Sequence, residues 1–396
     1  MSQTVSYLWR EPKAADGFAA GVSLHSHTNQ SRETLDFVAE MATDWPAIQP
    51  LMRWCERRCI RRAGIRPDYA RSYWTPPLTP RLAFDLERSQ IENRLQLPAM
   101  VSLTDHDDIT APMLLRSLAS ARQIPVSVEW TVPFGTAQHK TCFHLGIHNL
   151  PSAVGADWMR RMEDFTAIPL AERPAALLRD LLAELDEQPG ALIVFNHPLW
   201  DLYRIGKDRH NMLVNEFLAV HGQHVHAIEL NGLRDWNENR EVTRLAARWN
   251  QLLISGGDRH GVEPNANLNL TRAASFTAFV CEIRRDRESH VLFMPQYAEP
   301  WKHRILRGTL DAVRNYPEFP EGSRRWDERV YHPDVDGILR PLASLWSCGN
   351  SGHPPAYLAA VIAFVRLLGA APVSSGLRLA WNDAGAMRAA MAEKAI

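Results

Sequence analysis

Lysine is scarce in this chain of 396 residues: five, against 39 arginines. Genome base composition explains that bias as readily as phosphate binding does. Net charge is nearly absent too, with 45 Asp plus Glu against 44 Lys plus Arg. The balance excludes a generally basic nucleic-acid binder and an acidic solvating tail, while leaving room for a local basic patch. Cysteines are few, odd in number and scattered: Cys55, Cys59, Cys142, Cys281 and Cys348, with no CxxC pair. That excludes a disulfide framework and fits a reducing cytoplasm. No apolar run is long enough to span a bilayer. The longest, Leu358–Ala371, contains Arg366 and reads as a buried helix, with a place on a membrane surface as the lesser reading. The opening MSQTVSYLWREPKAADG lacks the apolar core of a signal peptide. The expectation is a cytoplasmic protein with no membrane contact and no obligate protein partner.

What is present is an ordinary globular composition, 45% apolar and 22% charged, in a chain long enough for a large core. The length allows two domains, or one α/β barrel with additions. Seven short apolar runs read as strands: Val22–Leu24, Ala99–Thr104, Ile124–Val132, Cys142–Ile147, Ala191–Phe195, Val225–Leu230 and Leu252–Ser255. Amphipathic stretches lie between several of them. Ala171–Asp186 puts Leu177, Leu178, Leu181, Leu182 and Leu185 on one helical face, and Glu238–Asn250 also reads as helix. Such alternation predicts parallel strands with crossover helices. Two stretches break the rhythm. Residues 45–98, rich in Trp, Pro and Arg, read as a helical insertion and a candidate lid. Residues 316–396 read as a C-terminal extension, mainly helical and packed on the barrel of residues 1–315.

Metal-ligating residue types follow the apolar runs. Leu24-His25-Ser26-His27 places two imidazoles on one side of an extended chain. Then come Leu103-Thr104-Asp105-His106-Asp107-Asp108, Val128-Glu129-Trp130, Phe143-His144-Leu145-Gly146, Phe195-Asn196-His197-Pro198 and Gly257-Asp258-Arg259-His260. Six of the sixteen histidines fall at these places. Each piece alone has a plainer explanation: an incidental HxH, a core histidine at His144, helix caps at Asp105 and Asp107, a turn at Asp258. Gathering so many imidazoles and carboxylates at one end of a fold without a metal would be costly.

The ordered series LHSH, LTDHDD, VEW, HLG, NHP and GGDRH resembles the PHP family, named for polymerase and histidinol phosphatase domains, over about residues 20–315 apart from the insertion. The resemblance implies a distorted (β/α)7 TIM-like barrel holding two or three divalent ions that hydrolyse phosphoesters. It would give His25, His27 and Asp258 to a first metal, Glu129 as a bridge, His144 and His197 to a second, and His106 and His260 to a third. The third site usually has one more ligand, which here falls at Arg32 or Glu33. Glu33 can serve; Arg32 would oppose a cation. Ser23 departs from the Asp that often precedes the first histidine. Asp258, Glu129 and His197 are the residues expected to carry catalysis.

Imidazole and carboxylate ligands suit Zn, Mn or Fe. A pair of such ions can bind a phosphoryl group and activate a bridging water. Arg259 is a candidate for substrate phosphate, or points outward by strand alternation. Asp105 is expected to orient a ligand histidine. Asn231 either lines the pocket or makes a turn. Arg53, Arg57, Arg58, Arg61, Arg62, Arg66 and Arg71, interleaved with Trp54, Tyr69, Tyr73 and Trp74, suit a nucleotide or short single-stranded nucleic acid, or else form a solvated helix face. The leading expectation is a metal-dependent phosphoesterase acting on a small phosphorylated substrate, monoester or diester. An amidohydrolase-like enzyme and a non-catalytic metal-binding regulatory domain stay open as alternatives.

Overall fold

The computed structural model describes residues 2–35, 48–63, 66–136, 139–174, 176–347 and 353–381. All seven expected strands form, with ends shifted by a few residues: β2 (Ala20–Ser23), β5 (Ala99–Val101), β6 (Val126–Gly135), β7 (Lys140–Leu150), β8 (Leu192–Asn196), β9 (Ala227–Asn231) and β10 (Leu252–Gly256). Three strands outside the expected seven complete the first sheet: β1 (Ser2–Tyr7), β11 (Asn267–Thr271) and β12 (Glu288–Phe293).

The closed (β/α)7 barrel does not form. The strands make separate mixed sheets: one ordered β1-β12-β11-β2-β5 and a second ordered β10-β9-β8-β7-β6. The reason lies in the connections. A parallel crossover needs a dozen or more residues, yet only four separate β6 from β7, so the two pair as an antiparallel hairpin. β7 is also antiparallel to β8, and β11 is antiparallel to both of its neighbours. Between the sheets the described residues show single bridges, Ser26 with Arg259 and His106 with Glu129.

Val22 and Leu24 of the first sheet meet Leu192, Val194, Leu252 and Ile254 of the second in one core cluster. Helix Phe276–Cys281 supplies Phe276, Phe279 and Val280 to the same cluster. Buried asparagines stitch the sheets as well. Asn267 donates to the Leu230 carbonyl at 2.6 Å, and Asn269 donates to Ser255 Oγ at 2.6 Å. Outside the second sheet, helix Leu177–Asp186 buries Leu178, Leu181, Leu182 and Leu185, as its periodicity predicts. Helix Trp236–Trp249 also forms, with Asp235 as its N-cap.

The 45–98 stretch splits in two. Its second half, helix Pro80–Leu95, packs on β2 and β5 as a core element, with Ala83, Phe84, Glu87 and Ile91 buried along one stripe. Earlier residues include helix Ile48–Ala63 and the short strand β4 (Tyr73–Trp74). A third sheet, ordered β14-β13-β4-β3, joins β3 (Glu33–Thr34) and β4 to β13 (Val330–Pro333) and β14 (Leu339–Pro341). The extension is thus woven into the segment that carries Glu33.

The apolar run near the C-terminus forms two helices, Ala356–Leu368 and Ala371–Ala380. It was expected to be buried. Instead Phe364 is 60% exposed and Leu367 is 56% exposed. Among the described residues no single helix is long and apolar enough to cross a membrane; these two together reach the length, but with a 65° bend between them.

Candidate metal centre

The candidate ligands converge because of strand direction. His25, His106, His197 and Asp258 follow the ends of β2, β5, β8 and β10. β7 runs the other way, so His144 near its start lies beside Asn196 at the end of β8. The backbone is left-handed at His25 (φ 59°), His197 (φ 25°) and Asp258 (φ 55°). Non-glycine residues in that region are strained, and such strain gathers at functional sites.

Glu129 is fully buried at the centre, and its two oxygens face different groups. Oε2 lies 2.9 Å from His25 Nε2, 3.2 Å from His27 Nε2 and 3.4 Å from His106 Nε2. Oε1 lies 3.0 Å from His197 Nε2 and 3.4 Å from His144 Nδ1. Asp258 Oδ1 stands 3.6 Å from the Nε2 atoms of both His25 and His27. On the outer side Glu33 Oε2 reaches His260 Nε2 at 3.1 Å and His106 Nε2 at 3.4 Å. Among the described residues three groups have candidate ligand atoms close enough to share an ion: His27, Glu33, His106 and His260; His25, His27 and Glu129; and His106, Glu129 and His144. Of Arg32 and Glu33, it is Glu33 that faces the histidines. Arg32 is exposed, with its guanidinium over the Tyr73 ring.

The donor set fits divalent cations. His25 Nε2, His27 Nε2 and Glu129 Oε2 are buried without a hydrogen-bond partner, although buried polar atoms are nearly always satisfied. All three turn toward one another. Burial opposes charge on Glu129, yet the imidazoles of His25, His106 and His144 hold it well below the usual carboxylate range. Burial likewise opposes a proton on His106, but Glu129 and Glu33 push it up to about 9. Glu33 and Asp258 are held low by neighbouring histidines against the same burial effect. Ligand protons and a metal compete for these positions.

The support beneath the candidate ligands rests on Asn231 and on two glutamates that the motifs do not include, Glu229 and Glu87. Glu229 Oε1 contacts His25 Nδ1 at 2.5 Å, and its Oε2 accepts from the His197 backbone N–H at 2.7 Å. Asn231 donates to Glu229 Oε2 at 2.9 Å and to Asp258 Oδ2 at 3.2 Å. Its own oxygen accepts from Leu233 and Arg234 N–H groups, so it both makes the turn and braces the site. A Cβ at Gly256 would collide with the Glu229 carboxylate, which explains the first glycine of GGDRH. Glu87 accepts from Arg259 Nε at 2.8 Å and from Ser23 Oγ at 2.9 Å. Both glutamates carried a signal: each interrupts an apolar face, Glu229 within strand AIELN and Glu87 on its helix, and a buried charge requires partners.

Two assignments change. Arg259, a candidate for substrate phosphate or for pointing outward, is buried, with its donors engaged by Glu87, the Gly261 carbonyl and the His27 carbonyl. It fixes the HxH loop instead. Asp105 does not orient a ligand histidine; it accepts from Thr28 N–H and from Thr28 Oγ1 at 2.7 Å, and burial pushes its pKa up to about 7. Neither Asp105 nor Asp107 caps the following helix. Asp107 accepts from Thr131 N–H, and Asp108 accepts from Thr110 N–H.

The cluster opens into a cavity of about 1580 Å³, with Glu33, His106, His144, Asp258 and His260 among its lining. Helix Ile48–Ala63 gives this wall Glu56 and no arginine among its described residues. Arg53, Arg57 and Arg61 are solvent-exposed, and the side chain of Arg62 lies outside the described residues.

No family model matches the chain, and no curated protein matches it. Among solved structures, an amidohydrolase from Chromobacterium violaceum with bound sulfate and no metal aligns at 17% identity and TM-score 0.30, covering 47% of this chain and 84% of its own. A Bifidobacterium adolescentis protein, provisionally classed as a metal-dependent phosphoesterase, aligns at 13% identity and TM-score 0.31, covering 52% and 91%. Likenesses this weak assign neither fold nor activity, so the site must be read from its own geometry.

Proposed function

We propose that this protein is a metal-dependent hydrolase of phosphoesters. The observation that carries the reading is the set of orphaned atoms around Glu129, with the two carboxylate oxygens facing separate histidine groups. His25, His27 and Asp258 would hold one ion and His144 and His197 a second, with Glu129 between them; Glu33, His106 and His260 would hold a third. Such ions supply charge neutralisation at phosphoryl oxygens and a water of lowered pKa.

The chain's own residues do the rest. Glu229 accepts from His25 Nδ1–H, which in the neutral imidazole leaves the Nε2 lone pair aimed at the site. Asn231 keeps the Asp258 carboxylate oriented through Oδ2, leaving Oδ1 toward the histidines. Among the described residues the cluster is buried on its sheet side and opens toward the cavity, from which a substrate's phosphoryl group would approach.

The test is hydrolysis of an aryl phosphomonoester and the matching diester, each with added Mn²⁺, Zn²⁺ or Fe²⁺, beside an Asp258→Asn control. We expect turnover that the control loses. No turnover of either ester under any of the ions overturns the phosphoester assignment, and cleavage of an aryl amide in its place would support the amidohydrolase-like alternative.

A further inference from the structure

The cavity that begins at the histidines ends on apolar helix surface. At the ligand end it is bounded by His260, Asp258 and Glu33. At the other end helix Ala356–Leu368 lines it with Leu358, Val361, Ile362 and Val365. That spacing of three, four and seven is one continuous face of a helix. Helix Leu342–Ser347 presents Leu342, Leu345 and Trp346 to the same space, again one face. Helix Trp301–Val313 borders the space between the two ends with a mixed surface, Ile305, Ala312 and Val313 beside Arg304, Arg307 and Asp311.

Two helices thus turn apolar faces toward one space that is continuous with a polar cluster. Its volume exceeds the roughly 300–1,000 Å³ that holds a drug-sized ligand. A phosphate headgroup occupies only the ligand end. A nucleotide would leave the aliphatic end without a partner, and the Arg-rich helix brings no described arginine into the cavity.

We propose that the ligand is an amphiphile: a phosphate ester whose leaving group carries a long alkyl or acyl chain, with the phosphate at the histidine cluster and the chain along Leu345, Trp346, Val361 and Ile362. The substrate class rests on the phosphoesterase reading; the shape of the ligand does not. Hydrolysis would break the phosphorus–oxygen bond, adding water's oxygen to phosphorus and a proton to the departing alcohol.

The experiment compares ethyl phosphate with dodecyl phosphate, below its micelle concentration, on the Mn²⁺-loaded full chain. Binding is followed by calorimetry and hydrolysis by phosphate release. Each buried methylene is worth up to about fourfold in affinity, so a chain only partly accommodated still gives at least about a 100-fold preference for dodecyl phosphate. Ile362→Asn is expected to shrink that preference to about tenfold or less. Equal binding of the two esters by the wild-type protein overturns the proposal. So does a chain preference that Ile362→Asn and Leu345→Asn, both confirmed folded by circular dichroism, leave intact. Chain-dependent binding without phosphate release supports the amphiphile and overturns the hydrolase reading. Equal turnover of both esters does the reverse.

Discussion

The two ends of the cavity are built on opposite rules. Around Glu129 several candidate ligand side chains are held by a second buried group: Glu229 under His25, Asn231 under Asp258, Ser31 beside His27 and Glu33. At the far end, Leu345, Val361 and Val365 are only half-buried and meet other apolar groups without directional bonds. Directional contacts fix atoms to fractions of an ångström, whereas apolar contacts tolerate repacking. The comparison teaches that one end is built to place charge and the other to accept shape.

The sharpest way to break the polar end is Glu129→Gln, which keeps shape and removes charge. Turnover should fall by about 10³-fold or more, with loss of bound metal measured by elemental analysis. Full metal content with unchanged turnover would sink the bridging assignment. Arg259→Met leaves Glu87 buried without its cation, and should cost about 3–5 kcal/mol in urea unfolding. Adding Glu87→Gln should restore part of the loss; if it adds to the loss instead, the pair is not a coupled unit.

Acid probes the same end through a group that is not a ligand. Burial pushes His148 down to about 3 in the folded chain, against about 6.5 when unfolded. The unfolded chain therefore binds the extra proton. His148 thus contributes stability fully above pH 6.5 and loses it as the pH falls toward 3. Metal-free protein should lose on the order of 3 kcal/mol more between pH 7 and 4.5 than a His148→Gln variant does; parallel pH curves would show that His148 is not the acid-sensitive group. The smallest effect is that of Glu229→Gln. It removes only the charge behind His25 and should weaken metal affinity by about 10- to 100-fold, read by competition with a chelator dye. No change would mean that His25 is oriented by other contacts.

Much of the polar end was legible because ligands sit where apolar runs stop. An apolar run reports a strand and the polar residue after it reports the strand's exposed end, and His25, His106, His197 and Asp258 follow that rule. His144 breaks it, and correctly so, because β7 is reversed. Strand direction was not legible from seven similar runs, and that is why a closed barrel was expected. β1 and β11 escaped notice because SQTVSY and NLNLT are mostly polar; the asparagines of β11 serve as inter-sheet donors. Glu229 and Glu87 were overlooked because a carboxylate inside an apolar face was not asked for its partner. The apolar end was legible only as a run of hydrophobic residues, since nothing in its periodicity says that it faces a cavity rather than a core.

The small sheet β14-β13-β4-β3 has a consequence for how such a molecule can change over generations. Glu33 stands on β3, which leans on β4, which leans on β13 of the extension that also supplies the apolar wall. A new wall cannot be grafted on as an independent module, because the graft would pull on the same three-strand tether that sets the Glu33 carboxylate. Tolerance for new ligands and the placement of Glu33 would then be inherited together, as one trait rather than two.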